Sequence, residues 1–487
     1  MKFMMKFALI AAVLAALCLI GCSDSAPNGP VPSLGGSTIT KYVAVGNSLT
    51  AGYQSAGLYQ SAQVYSYPNQ IAQQLSKAGA SLGSFEQPYY SDPGTPDATG
   101  KASRYEIVSL TGPVIGPKGL AAGAPTNMAL ARPYDNLGIP GIPLAGFMDT
   151  TGTYQAAPLG RDVILRWTSA FPTMKNVYKQ AVSLKPDLMT FWLGANDVLG
   201  YATSGGTSPA APTSTAIFTA LYTQAITSIK ASLPNVKLVV GNIPDVKAIP
   251  FFNTVGPEIA AKIGALGLKL YYQKAGESGV ASGSTTLTEA NPPLITLVGI
   301  TYAGYIGQPT GIFYRANGIP YSVVHALGID TTQPFGLHPQ NPWPNALVLD
   351  ATEQSACSAA ISAFNSTIAS VAAANGAAVV DFYSFFNNVA ANGYALAGET
   401  YTTAYIEGGL FSLDGVHPSS RGYGIVANEY IKVMNAKFSM SIPLVDVSQI
   451  PGIAAPLGKI SMQNGLPVLP ADALKDYERM FGTTDLH

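Results

Sequence analysis

Ser48 lies in the run Gly46-Asn47-Ser48-Leu49-Thr50-Ala51-Gly52, directly after an apolar stretch at residues 42–45. A serine between glycines at the carboxyl end of a strand projects its hydroxyl into the crevice where open α/β sheets bind ligands, a place for an attacking nucleophile. The run is not the Gly-x-Ser-x-Gly elbow, because Thr50 stands where the second glycine belongs. Read alone, it serves equally as a turn that caps a helix. Asp414-Gly415-Val416-His417-Pro418 offers a base, since imidazole titrates near neutrality and an acid three residues earlier can fix its tautomer. The competing reading is a solvated loop histidine with a capping aspartate. Gly194-Ala195-Asn196-Asp197 places an amide after an apolar run, where it can donate to a developing oxyanion or simply cap a turn. Asn136-Leu137-Gly138-Ile139-Pro140-Gly141 is a Gly/Pro turn whose Gly141 N–H has the same possible use. His325 and His338 lack an acid at comparable spacing, and His487 is terminal.

These runs need a scaffold that brings distant residues together. Apolar stretches at 42–45, 188–193, 237–240 and 377–382 read as buried strands. Helical patterns alternate with them at 68–77, 214–233, 353–374 and 420–437. Strands alternating with helices predict βαβ units and a parallel sheet covered on both faces. Residues 85–133 and 250–344 break the rhythm, being rich in Gly, Pro, Tyr and Thr; insertions of such length serve as lids or small subdomains. Their Tyr, Phe, Ile and Leu residues are candidates to line an acyl groove. The proline-containing segment from 438 to 487 is expected to wrap the domain surface.

The order of the four runs is itself recognisable. The chain resembles SGNH (GDSL-like) hydrolases, whose conserved blocks contribute Ser, Gly, Asn and His in that sequence. Residues 46–49, 138–141, 194–197 and 414–417 match these blocks, and Gly241-Asn242-Ile243-Pro244-Asp245 is similar to the family's fourth strand and following loop. The resemblance spans about residues 42–437. It implies a three-layer α/β/α domain over 41–437, with a flavodoxin-like parallel sheet of about five strands. It also implies a serine esterase or lipase with Ser48, Asp414 and His417 as catalytic residues. The oxyanion would be held by Ser48, Gly141 and Asn196, and no metal or other cofactor is required. Two positions depart from the family pattern: Asn47 replaces the usual Asp, and Pro140 a common Ser. Asn47 is expected to support the loop without taking part in bond making. A polysaccharide O-deacetylase and a non-catalytic lipid- or glycan-binding lipoprotein are the rival readings. A decayed enzyme would be expected to have lost one of the four functional side chains.

Lys2 and Lys6 precede an apolar run at 7–20 that ends Leu19-Ile20-Gly21-Cys22. This pattern resembles a bacterial lipoprotein signal over 1–21, which implies acylation of Cys22, a flexible tether over 22–40 and an envelope location, with outer-membrane sorting expected from Ser23. With Cys18 removed and Cys22 modified, Cys357 is left without a disulfide partner. Net charge is −1 with no basic block, which argues against nucleic acid as a partner. Only 11% of residues are charged, a surface suited to neutral ligands such as lipids or sugars. Outside the N-terminus no run of 18 apolar residues is found, so no other span of a bilayer is expected.

Overall fold

The computed structural model describes residues 31–109, 114–155, 159–396, 398–452 and 469; the signal-like segment and Cys22 lie outside them. Five parallel strands form the central sheet: β1 (Tyr42–Gly46), β2 (Asn136–Gly138), β3 (Leu188–Trp192), β4 (Lys237–Gly241) and β5 (Ala378–Val380). Their spatial order is β5-β4-β3-β1-β2, with Gly46 paired to Gly138 on one side and to Trp192 on the other. This is the flavodoxin-like order expected. In it, connections leave β1 in opposite directions, opening a crevice at the strands' carboxyl ends. Every residue of β1 and β3 is buried, as strands covered on both faces must be.

The covering helices are α1 (Tyr67–Lys77), α2 (Val177–Ser183), α3 (Asn196–Thr203), α4 (Thr215–Ser232), α5 (Ala351–Ala374), α6 (Phe382–Asn392) and α7 (Ser420–Phe438). Neighbouring strand residues point to opposite faces, and two aromatics of β3 show the division. Phe191 meets Tyr222 of α4, while Trp192 meets Tyr67 of α1, Phe382 of α6 and Tyr430 of α7. On the first face Phe218 of α4 stacks on Phe364 of α5 at 3.9 Å.

Two boundaries differ from expectation for local reasons. α5 starts at Ala351, ahead of 353, because Asp350 and Glu353 form a reciprocal capping box. β5 stops at Val380, since Asp381 accepts from the Ser384 N–H and starts α6 at a Phe expected to close the strand. α5 is long and apolar enough to cross a membrane by length and composition alone, a test that a buried core helix also passes. It packs instead against α4 and β5, with Ile361, Phe364 and Ile368 buried.

The two insertions differ in construction. Residues 85–133 carry one described hairpin, Tyr105–Ser109 paired with Val114–Pro117. Residues 250–344 are more regular than expected: they include the helix Val255–Gly264 and pair Leu270–Tyr272 with Gly283–Thr285. Ile295, Leu297, Phe335 and Trp343 are fully buried there. The C-terminal segment does lie on the domain as far as it is described. Asn435 and Asn428, seven apart on one face of α7, exchange paired hydrogen bonds with the backbone of Ile442 and Val445.

Candidate active site

Ser48 is the first residue of a single helical turn, Ser48–Ala51, entered straight from β1. Asn47 caps the turn, its Oδ1 accepting from the Leu49 N–H at 3.0 Å, so the residue that departs from the family pattern does support the loop. The turn is pressed against β2 at Gly138, where a Cβ would come within 2.3 Å of the Ala51 nitrogen. No other residue fits. The Ser48 N–H is at the helix start, where no intrahelical acceptor exists.

Ser48 and His417 are 369 positions apart, yet His417 Nε2 stands 2.9 Å from Ser48 Oγ. His417 Nδ1 is 3.0 Å from Asp414 Oδ2. The turn at Gly415, with φ +70°, folds the segment back so that Asp414 Oδ1 accepts from the N–H groups of Val416 and His417. Asp414 and His417 are almost wholly buried. Burial alone would raise the Asp414 carboxyl, but the facing His417 and these backbone donors hold it below the ordinary carboxylate range. Asp414 is thereby kept as the anion that fixes the ring, with the Nδ1–H tautomer assigned from the carboxylate facing it. The Tyr53 ring lies 4.8 Å from the imidazole.

One supporting contact was not legible beforehand. The Ala56 N–H donates to Asp414 Oδ2 at 3.1 Å, and Ser55 exchanges bonds with Ser412 and Leu413. Both Ser55 and Ala56 have positive φ without being glycine, so no residue type marks the turn.

Asn196 opens α3 just beyond β3, as expected, and lines the cavity that contains Ser48 and His417. One of its amide hydrogens donates to the Ile142 carbonyl at 2.9 Å; an Asn amide has two donors, so the second can face a ligand oxygen. Its neighbour Asp197 accepts from the Leu144 N–H at 2.8 Å and from Thr213. Together they clamp the turn that follows Gly141. Gly141 itself has φ +76° and is not part of the described cavity lining, so its link to the site runs through this clamp. Burial pushes the Asp197 carboxyl up to about 6, against the lowering pull of those two donors.

The cavity wall is apolar, and it corrects one expectation. It is built from β3, α3, α6 and the loop after β4, with no described contribution from 85–133 or 250–344. The longer insertion acts behind the site: the Phe251 N–H donates to the Gly415 carbonyl, and Leu297 fills the space beside Gly415. Among the other histidines, His338 Nδ1 is engaged with the Gln340 N–H of its own turn, and His325 lies on the short helix Tyr321–Ala326.

The model of the GDSL-like lipase/acylhydrolase family matches residues 42–282 and 303–430, and the chain belongs to that family. It is accordingly a hydrolase of ester bonds. Two solved structures are similar, both at 11% identity. One, described as a GDSL-like lipase from Parabacteroides merdae, has a TM-score of 0.32, covering 83% of this chain and 99% of its own. The other, a mutant of an acetyl-xylooligosaccharide esterase from Geobacillus Stearmophilus, has a TM-score of 0.30, covering 82% and 95%. No curated protein matches the chain. Likenesses this distant leave the family match and the site geometry to carry the assignment.

Proposed function

We propose that the protein is a serine esterase acting on lipid or other acyl esters through an acyl-serine intermediate. The observation that carries this is the continuous chain from Ser48 Oγ through His417 to the Asp414 carboxylate, with links of 2.9 and 3.0 Å. Ser48 Oγ attacks the ester carbonyl as His417 Nε2 takes its proton, and Asp414 steadies the imidazolium that forms. The Ser48 and Gly141 N–H groups and the Asn196 amide receive the oxyanion. His417 then returns the proton to the departing alcohol oxygen and activates water to release the acid. The apolar cavity wall favours acyl esters over acetylated polysaccharide. The test is hydrolysis of p-nitrophenyl butyrate by wild type and by Ser48→Ala, beside acetate release from acetylated xylan. Equal rates for the mutant would remove Ser48 from the reaction, and a preference for the xylan would overturn the acyl-ester reading.

We also propose that Cys22 is acylated and anchors the protein in the cell envelope, at the outer membrane. The charged start, the apolar core and Leu19-Ile20-Gly21-Cys22 support this. Cys22→Ser should move the protein from the membrane to the soluble fraction, and an unchanged distribution would overturn the anchor.

A further inference from the structure

The run Gly241-Asn242-Ile243-Pro244-Asp245 is not used by the reaction chemistry, yet the structure holds it with unusual care. Asn365 of α5 bonds both backbone groups of Ile243, accepting from its N–H at 2.8 Å and donating to its carbonyl at 2.9 Å. Asn242 accepts the Trp192 indole N–H on its carbonyl at 2.9 Å, while its side chain bonds Asp381 and the Tyr383 N–H. At Gly241 a Cβ would fall 2.7 Å from the Trp192 ring, so the glycine is what lets indole and backbone lie together. Stacking on Phe382 at 4.2 Å fixes the other face of the indole. The result is a preset wall beside Ser48.

That wall is hydrocarbon. Leu49, Trp192, Leu199, Ile243, Val246 and Phe386 face the cavity, whereas Asn47, Ser48, Asn196 and His417 gather at the reacting end. Asp245 is the only carboxylate on the described lining, and its Oδ1 is tied to the Lys247 N–H. A ligand matching this division has a polar carbonyl at one end and an aliphatic chain behind it. Two considerations assign the chain to the acid half of the ester. Asn196, the oxyanion donor, is on the same short helix as Leu199, so the element that receives the carbonyl oxygen also supplies apolar wall. The acyl group, moreover, stays on Ser48 after the alcohol has left, so a pocket for it stabilises both half-reactions.

We propose that residues 241–246, together with Trp192 and α3, form a rigid acyl-chain pocket that selects esters of aliphatic acids longer than acetate. This rests on the reading of Ser48 as the nucleophile. In a p-nitrophenyl ester series with one leaving group, kcat/KM should rise about fourfold per added methylene until the pocket is filled. Acetate esters of lengthening alcohols should show no such rise. Leu199→Trp, at a half-buried lining position, should cost octanoyl ester roughly tenfold or more while changing acetyl ester far less. Val246→Ala, a smaller perturbation, should move the optimum toward longer acids. A rise confined to the alcohol series, or equal losses on both esters in Leu199→Trp, overturns the pocket. The pocket is judged apart from the nucleophile by titrating Ser48→Ala with octanoate by NMR. Binding that disappears in Ser48→Ala/Leu199→Trp upholds the pocket even if hydrolysis proves independent of Ser48, and absence of binding in Ser48→Ala overturns it.

Discussion

The carboxyl edge of the sheet and the 250–344 insertion are built on opposite plans. At the sheet edge the reacting groups stand on short turns pinned by a few hydrogen bonds, within the turn for Asn47 to Leu49 and Asp414 to His417 and to a separate segment for Asp197 to Leu144. The insertion uses nearly a hundred residues to enclose a small core around Trp343 and reaches the site only from behind, through Phe251 and Leu297 against Gly415. Length and aromatic content mark where a chain builds extra packing. Placement of a reacting group depends on local backbone geometry, which needs few residues.

This contrast can be broken in several ways. His417→Ala should lower kcat by roughly 10⁴-fold or more while the protein stays folded, because the proposed general base is lost and the sheet is untouched. A modest loss would show that the base lies elsewhere. Trp343→Ala should do the reverse, costing about 3–5 kcal/mol of stability by opening a cavity in the insertion, with only a minor fall in kcat while the protein stays folded. Denaturant unfolding beside esterase assays decides it, and an activity loss as deep as that of His417→Ala would make the insertion part of the site. Asn196→Ala should reduce kcat by about 10²–10³-fold, the usual effect of losing one oxyanion donor, with KM little changed. A change in KM alone would assign Asn196 to substrate binding.

The smallest effect concerns Glu353, where the insertion joins α5. Its Oε2 accepts from the Asp350 N–H at 2.7 Å while Oε1 is buried beside Gly206, and burial pushes its carboxyl up to about 8. The folded chain therefore holds this proton more tightly than the unfolded chain, whose carboxyl titrates near 4.5. Stability should decline as pH rises between those two values. Glu353→Gln should remove that part of the slope, as read by urea midpoints near pH 5 and near pH 9 on either side of the window. An unchanged slope would show that the buried carboxyl is not the group responsible.

Much of the site was legible because its residues are chemically unusual for their positions. Ser48, Asn196, Asp414 and His417 stand in small-residue runs at the ends of apolar stretches, and the structure brings all four together as expected. What escaped notice has no type signature. Ala56 supports Asp414 through a backbone N–H, which any residue but proline possesses. The Tyr, Phe, Ile and Leu content of the insertions points to them as the cavity wall, whereas Ile243 and Val246, which do line it, look like ordinary core in the sequence.

By itself the sequence determined the alternation of strand and helix, because burial on two faces demands continuous apolar strands and one apolar stripe per helix. It also determined which side chains carry chemistry, since only a few residue types can attack, accept a proton or hold an anion. The tertiary structure decided which of those groups meet and what surrounds them. Contacts across 369 positions depend on the twist and order of the sheet. A rim of hydrophobic side chains becomes a pocket only when separate strands deliver it to one side of a serine.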